Sequence, residues 1–516
     1  MEKETKAQRV ERIKKEKDGL DVLEDILYYV NNKDQDVDDE TIERLKWYGI
    51  YLQRNHDLDN TQQHFMLRVK LVSGEVSYEQ LLILITISQK YAQSTASFTT
   101  RQDIQFHNIS IDNILEIFKL LNSVGLNSIN ACGDCPRNTV TCPASYSQSS
   151  LIDTKKLTRQ INDFFTNNKD FSNLPRKFKI GINSCTHHCI YHEIQDVGFT
   201  AFIQDDEVLF DITVGGGLSG GKQIAKRLGF ACIENQVLEI SKGCAMLFKL
   251  HGNRTNRAKA RMRHLVEDWG VEKFLEELKQ YINFELIPSV EPKIANKYKR
   301  NHIGLERQKD GLFSLGCSTN SGRMREDGLL EIRNIMEKYK IFSFVVTTTQ
   351  DFILQSILPK YIDGVLSKVN RTFSTNPSPF RVGMVSCTGK EFCKFAISET
   401  KSFAKELVSY LEENVEKVPE NINIHIAGCN NSCSHPQIAD IGLIATFVRD
   451  ESKKRVEGYE VFFGGNMKGV QSTFAQKTSI KLPKNEIYPF IKSTIDNYQA
   501  SETKKTLNSY LLEQIG

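Results

Sequence analysis

Four cysteines near the C-terminal end stand at a spacing that suits an iron–sulfur cubane. Cys387 and Cys393 lie in Cys-Thr-Gly-Lys-Glu-Phe-Cys, and Cys429 and Cys433 in Gly-Cys-Asn-Asn-Ser-Cys. Two loops that each offer two thiolates are a usual ligand set for a [4Fe–4S] cluster. Structural zinc prefers shorter knuckles in both pairs, and C-x5-C is unusual there. Gly389 and Gly428 border the pairs, so backbone can approach closely and donate N–H groups to sulfur.

The chain that must position these thiols is duplicated. Phe65–Gly74 aligns with Phe313–Gly322, and Thr99–Asp103 with Thr347–Asp351, both at an offset of 248 residues. Cys185-x3-Cys189 and the following His-Glu-Ile-Gln-Asp-Val-Gly align with Cys429-x3-Cys433 and Pro-Gln-Ile-Ala-Asp-Ile-Gly, at an offset of 244. A shared offset over tens of residues marks an internal repeat. The copies differ where chemistry is concerned. Arg68 aligns with Gly316 and Arg101 with Thr349, so the first half brings cations and the second the cluster cysteines. An anion held between them follows.

Bulk properties agree. A chain of 516 residues is too long for one core, and 40% hydrophobic with 25% charged residues is ordinary for a globular protein. A net charge of +3 gives no field for nucleic acid or a membrane surface. The charged opening lacks an apolar core, so it does not read as a secretory signal, and no run spans a membrane. A cytoplasmic location is expected. Twelve cysteines there favour metal ligands or reduced thiols over disulfides.

Helical spacing over Asp21–Val30 and Thr41–Tyr51 suggests a helical N-terminal arm, residues 1–60. Strand–helix–strand–helix order then suggests an α+β unit over 61–127, repeated over 291–375. Residues 128–290 and 376–498 form the cysteine-bearing segments, and 499–516 a tail. Val214-Gly-Gly-Gly-Leu218 is not a dinucleotide fingerprint, and no flavin or nicotinamide module is present.

The flanks of the quartet, SCTGKEFCKFAISETK and HIAGCNNSCSHPQIADIG, resemble the cluster motifs of the sirohaem-dependent sulfite and nitrite reductases. KWYGIY, HFMLRVK, TTRQDIQFH, NACGDCPRN, LPRKFK, GGGL and RAKARMRHLVEDWG match that family in its order, over nearly the whole chain. The resemblance implies an α+β fold: a pseudo-two-fold ferredoxin-like domain with two similar α/β domains that bind sirohaem and a [4Fe–4S] cluster. It implies that Cys433 joins the cluster to the sirohaem iron. It places Arg68, Arg137, Lys177 and Lys179 around a sulfite or nitrite substrate. Arg101, Gln105, Asn138, Arg176, Arg257, Lys259 and Asn431 would touch the macrocycle, whose carboxylates suit the planar guanidinium fork. In some members the cysteine matching Cys132 forms a thioether with the tyrosine matching Tyr51, and both are present here. Family nitrite reductases often carry Asn where Lys179 stands, which favours sulfite. A ferredoxin-type carrier would bring the electrons.

Cys135, Cys142, Cys185 and Cys189 nearly repeat the cluster spacing, with His187, His188 and His192 nearby. They are expected to be remnants of duplication, buried as small hydrophobes, rather than a second cluster. One cluster and one sirohaem, about five irons, are expected per chain.

Overall fold

The computed structural model describes residues 4–32, 35–54, 62–187, 189–294, 302–325, 328–469, 471–501 and 505–515. His188 and residues 295–301 of the predicted linker lie outside them. The first half carries β1 (Ile50–Leu52), β2 (Phe65–Val69), β3 (Glu75–Ser77), β4 (Thr95–Phe98) and β5 (Ile104–Ile109). Then come β6 (Val140–Thr141), β7 (Ile180–Asn183), β8 (Val197–Gln204), β9 (Glu207–Val214), β10 (Lys226–Cys232) and β11 (Ile287–Pro288). The second half repeats the series as β12 (Gly304–Arg307), β13 (Phe313–Cys317), β14 (Arg323–Arg325), β15 (Ser343–Val346) and β16 (Phe352–Ile357). It ends with β17 (Met384–Ser386), β18 (Ile424–Ala427), β19 (Ile441–Arg449), β20 (Arg455–Phe463) and β21 (Gln476–Pro483).

Two five-stranded sheets form the ferredoxin-like pair, in the orders β1-β2-β5-β4-β14 and β12-β13-β16-β15-β3. Each takes its last strand from the other half: Arg323–Arg325 pairs with β4, and Glu75–Ser77 with β15. One hydrophobic core accordingly runs through both halves, with Phe98, Phe344 and Phe352 in mutual contact. Helix Tyr78–Tyr91 starts at a capping box, in which Ser77 Oγ accepts from Gln80 N and Gln80 Oε1 from Ser77 N. It buries Leu81, Leu84, Ile85 and Ser88, the expected helical face.

Two similar sheets, β11-β10-β9-β8-β7-β6 and β17-β18-β19-β20-β21, carry the cysteine loops. In each, three parallel strands are followed by antiparallel ones. Helix Lys401–Asn414 covers the second, burying Phe403, Ala404, Leu407, Val408 and Leu411. Each sheet has its own core. The fold is α+β and duplicated, as expected.

The helical pattern over Thr41–Tyr51 ends early. The helix stops at Leu45, a short turn over Lys46–Tyr48 follows, and Gly49 at φ +74° sends the chain into β1. Ile50–Leu52 pairs with β2, so the arm completes a sheet edge and sets Tyr51 opposite Met66.

Candidate functional site

The quartet sits at the carboxyl ends of parallel strands, where open α/β sheets hold ligands. Cys387 follows β17, and Cys429 and Cys433 follow β18. Cys387 N donates to Ile426 O at 3.2 Å, and Gly428 N donates to Cys387 Sγ at 3.1 Å. Thr400 Oγ1 donates to Cys387 O at 2.8 Å. Gly389 takes φ +80°, and a Cβ there would lie 2.6 Å from Glu399 Oε1 and 2.7 Å from Thr400 N. The cluster loop therefore closes only with glycine at this position. Asn431 donates its backbone and side-chain N–H groups to Cys429. Arg54 ties the loop to the N-terminal arm, donating to Phe392 O through its backbone at 2.9 Å and to Ala396 O at 2.7 Å.

The thiols fit a cubane better than a single ion. Tetrahedral zinc would bring sulfurs to about 3.8 Å of one another, yet no three of these have their sulfurs within 4.8 Å. In a cubane each thiolate binds a different iron and stands farther from the next. Burial pushes the Cys387 thiol up to about 12 and Cys429 to about 11, so any metal held there would have to displace their protons. Cys387, Cys393 and Cys429 are half-buried, whereas Cys433 is exposed. Thr100 Oγ1 donates to Cys433 O at 3.1 Å, fixing that end of the loop from the first half.

Beside Cys433 the cations converge. Residues 177–179 run alongside Pro136: Phe178 N donates to Cys135 O at 3.1 Å, and Arg137 N to Phe178 O at 2.9 Å. Phe178 is fully buried and stacks on Phe248, so its neighbours Lys177 and Lys179 point the other way. Burial, with Arg261, Arg176 and Arg137, holds Lys177 well below the ordinary lysine value. Burial, Arg101 and Lys177 do the same to Lys179. Arg68 on β2 faces Gln105 on β5; in the amide orientation that satisfies both, Gln105 accepts from Arg68 Nε at 3.0 Å and Nη2 at 2.6 Å. Arg137 donates to Ala131 O at 3.2 Å and Gly133 O at 3.1 Å, curling the Cys132 loop around its guanidinium. The Tyr51 hydroxyl and the Cys132 thiol are hydrogen-bond neighbours beside Arg68 and Arg137.

The remaining expected contacts are placed unevenly. Arg101 donates to Gln195 Oε1 at 3.0 Å and also to Asn138 O, while its buried Nε has no protein partner. Asn138 Nδ2 donates to Asp103 Oδ1 at 2.7 Å. Arg176 and Arg257 both reach Asp134, at 2.9 Å and 2.5 Å. Lys259, in the same short turn as Arg257, is exposed. Arg261, in the same basic run as Arg257 and Lys259, grips Asp196 through both carboxylate oxygens at 2.9 and 2.7 Å. Its place in the RAKARMRH run was visible, but the partner 65 residues away was not.

Asp134 was missed by sequence reasoning. It is almost fully buried, and Arg176, Arg257 and Lys14 outweigh the upward push of burial to hold its carboxyl well below the usual range. A depressed carboxylate contributes stability above its unfolded value and loses it as pH falls. Asp134→Asn should therefore cost about 3 kcal/mol at neutral pH by leaving cations unpaired. The gap to the parent should narrow below about pH 4, as read by denaturant melts across pH.

A family model described as the nitrite and sulphite reductase 4Fe-4S domain matches residues 132–286 and 380–516. A second, for the nitrite/sulfite reductase ferredoxin-like half domain, matches 59–124 and 305–371. The chain is 32% identical to a sulfite reductase [ferredoxin] of Mycobacterium tuberculosis, over 95% of this chain and 91% of the relative. It is also 32% identical to a ferredoxin–nitrite reductase of Synechococcus elongatus, over 90% and 91%. The solved structure of the Mycobacterium tuberculosis NirA protein superposes with a TM-score of 0.92 at 30% identity, covering 98% of this chain and 96% of that one.

Proposed function

Because the chain belongs to the nitrite and sulfite reductase family, we propose that it reduces sulfite to sulfide, with sirohaem and a [4Fe–4S] cluster as cofactors. The observation that carries this is the meeting of Arg68, Arg137, Lys177 and Lys179 beside the exposed Cys433. In this proposal Cys387, Cys393, Cys429 and Cys433 hold the cluster, and Cys433 also holds the sirohaem iron. Arg101, Gln105, Asn138, Arg176, Arg257, Lys259 and Asn431 are assigned to the macrocycle and its carboxylates, and Tyr51 and Cys132 to a thioether. The segment boundaries at 61, 128, 291, 376 and 499 belong to the same proposal.

When bound, the two cofactors would relay electrons and offer a Lewis-acidic redox centre. The protein's own residues supply charge and protons. Four cations neutralise the oxyanion, and their shared burial makes each interaction stronger than in water. Lys177 and Lys179, held well below the ordinary lysine value by burial and neighbouring cations, are assigned as the proton donors as oxygen leaves as water. Sulfite accepts six electrons and seven protons, yielding hydrosulfide and three waters. A ferredoxin-type one-electron donor is assigned because the relatives are named for it.

Nitrite reduction to ammonia is the second reading, favoured by relatives of equal identity that carry that name. Steady-state assays with reduced viologen on sirohaem-loaded protein test both. A loaded protein that reduces neither anion would overturn the proposal. Lys179→Asn should lower kcat/KM about tenfold more for sulfite, a dianion at high pH, than for nitrite. Equal losses would remove Lys179 as the discriminating group.

A further inference from the structure

The duplication carries a second thiol site, at the place in the first half that the cluster occupies in the second. Cys142 follows β6 as Cys387 follows β17. Cys142 N donates to Ile182 O at 3.2 Å, matching Cys387 N to Ile426 O at 3.2 Å. Ile182 and Ile426 are 244 residues apart in sequence, the offset that also relates Cys185 to Cys429 and Cys189 to Cys433. Thr348 Oγ1 donates to Cys189 O at 3.4 Å, as Thr100 Oγ1 does to Cys433 O at 3.1 Å. Three of the four cluster positions thus remain cysteine. Pairing Cys135 and Cys142 with Cys387 and Cys393 by spacing alone needs correction. The Cys135 thiol donates instead to Cys132 O at 2.8 Å, and Cys142 takes the Cys387 position.

A histidine from the other half stands beside them. His302 precedes β12, and its carbonyl crosses β13 where a Cβ on Gly316 would lie 1.8 Å away. This is the glycine aligned with Arg68: where one copy places a cation, the other lets a chain pass. His302 Nε2 lies 3.0 Å from Cys189 Sγ, and Cys142 Sγ lies 3.6 Å from Cys189 Sγ. All three ligand atoms fall within 4.8 Å of one another, and all three residues are buried. Ala144 and Ile353 pack around the thiols. The other ring nitrogen of His302 faces Glu306 Oε2 at 3.4 Å, the carboxylate–imidazole arrangement that orients metal-bound histidines.

We propose that Cys142, Cys189 and His302 bind a single divalent ion of zinc's chemical class, with Cys185 as the fourth ligand. A tetrahedral zinc separates two thiolates by about 3.8 Å and a thiolate from an imidazole nitrogen by about 3.5 Å. The group is near that geometry and too compact for a cubane. Cys185 lies on the same loop, its Sγ 3.4 Å from His187 Nδ1, and reaches the ion by turning its side chain. His192 points elsewhere, toward Asn183 and Thr200. Binding releases the thiol protons to solvent and leaves the ion as Zn²⁺, with no redox step. The ion would clasp the first cysteine-bearing domain to the entry of the second half.

The test uses sirohaem-loaded protein purified without chelator or a metal-affinity column. Elemental analysis should find about one zinc per chain beside the iron. The Cys189→Ser, His302→Ala double variant should lose it, falling below about a tenth per chain, while keeping its sirohaem spectrum. If that variant does not accumulate, cobalt titrated into zinc-stripped native protein should give thiolate-to-cobalt charge-transfer bands. Zinc-free native protein after reductant and zinc, zinc retained by the variant, or no cobalt bands would each overturn the site. So would a Cys142–Cys189 disulfide trapped by alkylation before unfolding, or about eight acid-labile sulfides per chain.

Discussion

Cys433→Ser is expected to reduce sulfite turnover by at least about 100-fold, more than the loss of a supporting residue around a metal ligand. Serine offers a hard hydroxyl in place of a soft thiolate, a poor ligand for iron. The position makes the effect specific. Cys433 is the exposed member of the quartet, and Thr100 from the other half holds its carbonyl. The variant should therefore lose the electronic coupling between the two centres as well as activity. Absorption and electron paramagnetic resonance spectra of the loaded variant, beside sulfite and nitrite assays, check it. Full turnover with an unshifted spectrum would remove Cys433 from the bridging position.

Lys177→Met should lower kcat/KM for sulfite about 100- to 1000-fold, the usual cost of deleting one preorganised charge from an active site. The same change should not lower the melting temperature. Lys177 sits among Arg261, Arg176 and Arg137, and is not within ion-pair distance of any described carboxylate. Removing its charge relieves repulsion, and methionine fills much of the same volume. A structural lysine would show the opposite split: a lower melting temperature with kcat/KM nearly intact. Less than about a threefold loss of kcat/KM would take Lys177 out of the substrate site.

Much of this was legible in the sequence because the repeat is written twice. The offset of 248 relates β2 to β13, β4 to β15 and β5 to β16 residue for residue, and 244 relates β7 to β18 and β8 to β19. The cysteine loops of the second half stood out because four thiols and two glycines at that spacing leave few alternatives. What stayed hidden depends on partners distant along the chain. Period-two alternation marks Glu75–Ser77 as extended but cannot say that it pairs with β15. The Thr41–Tyr51 pattern fits a helix until Gly49 turns the chain. Lys177 and Lys179 flank a single bridge before β7, and its alternation turns both away from the core. Asp134 and His302 act on residues far away in sequence, and counting cysteines along the chain misassigned Cys135 where strand register did not.

The exchange of edge strands between the two ferredoxin-like sheets has a consequence for the chain on the ribosome. Glu75–Ser77 must await Ser343–Val346, and Thr95–Phe98 must await Arg323–Arg325. At ordinary rates of synthesis the first wait lasts roughly 15–50 s. For most of that interval β4 has an open edge and the shared aromatic core lacks Phe344 and Phe352. The nascent first half is thus an unfinished sheet, a natural client for chaperones and poorly suited to life as a separate fragment.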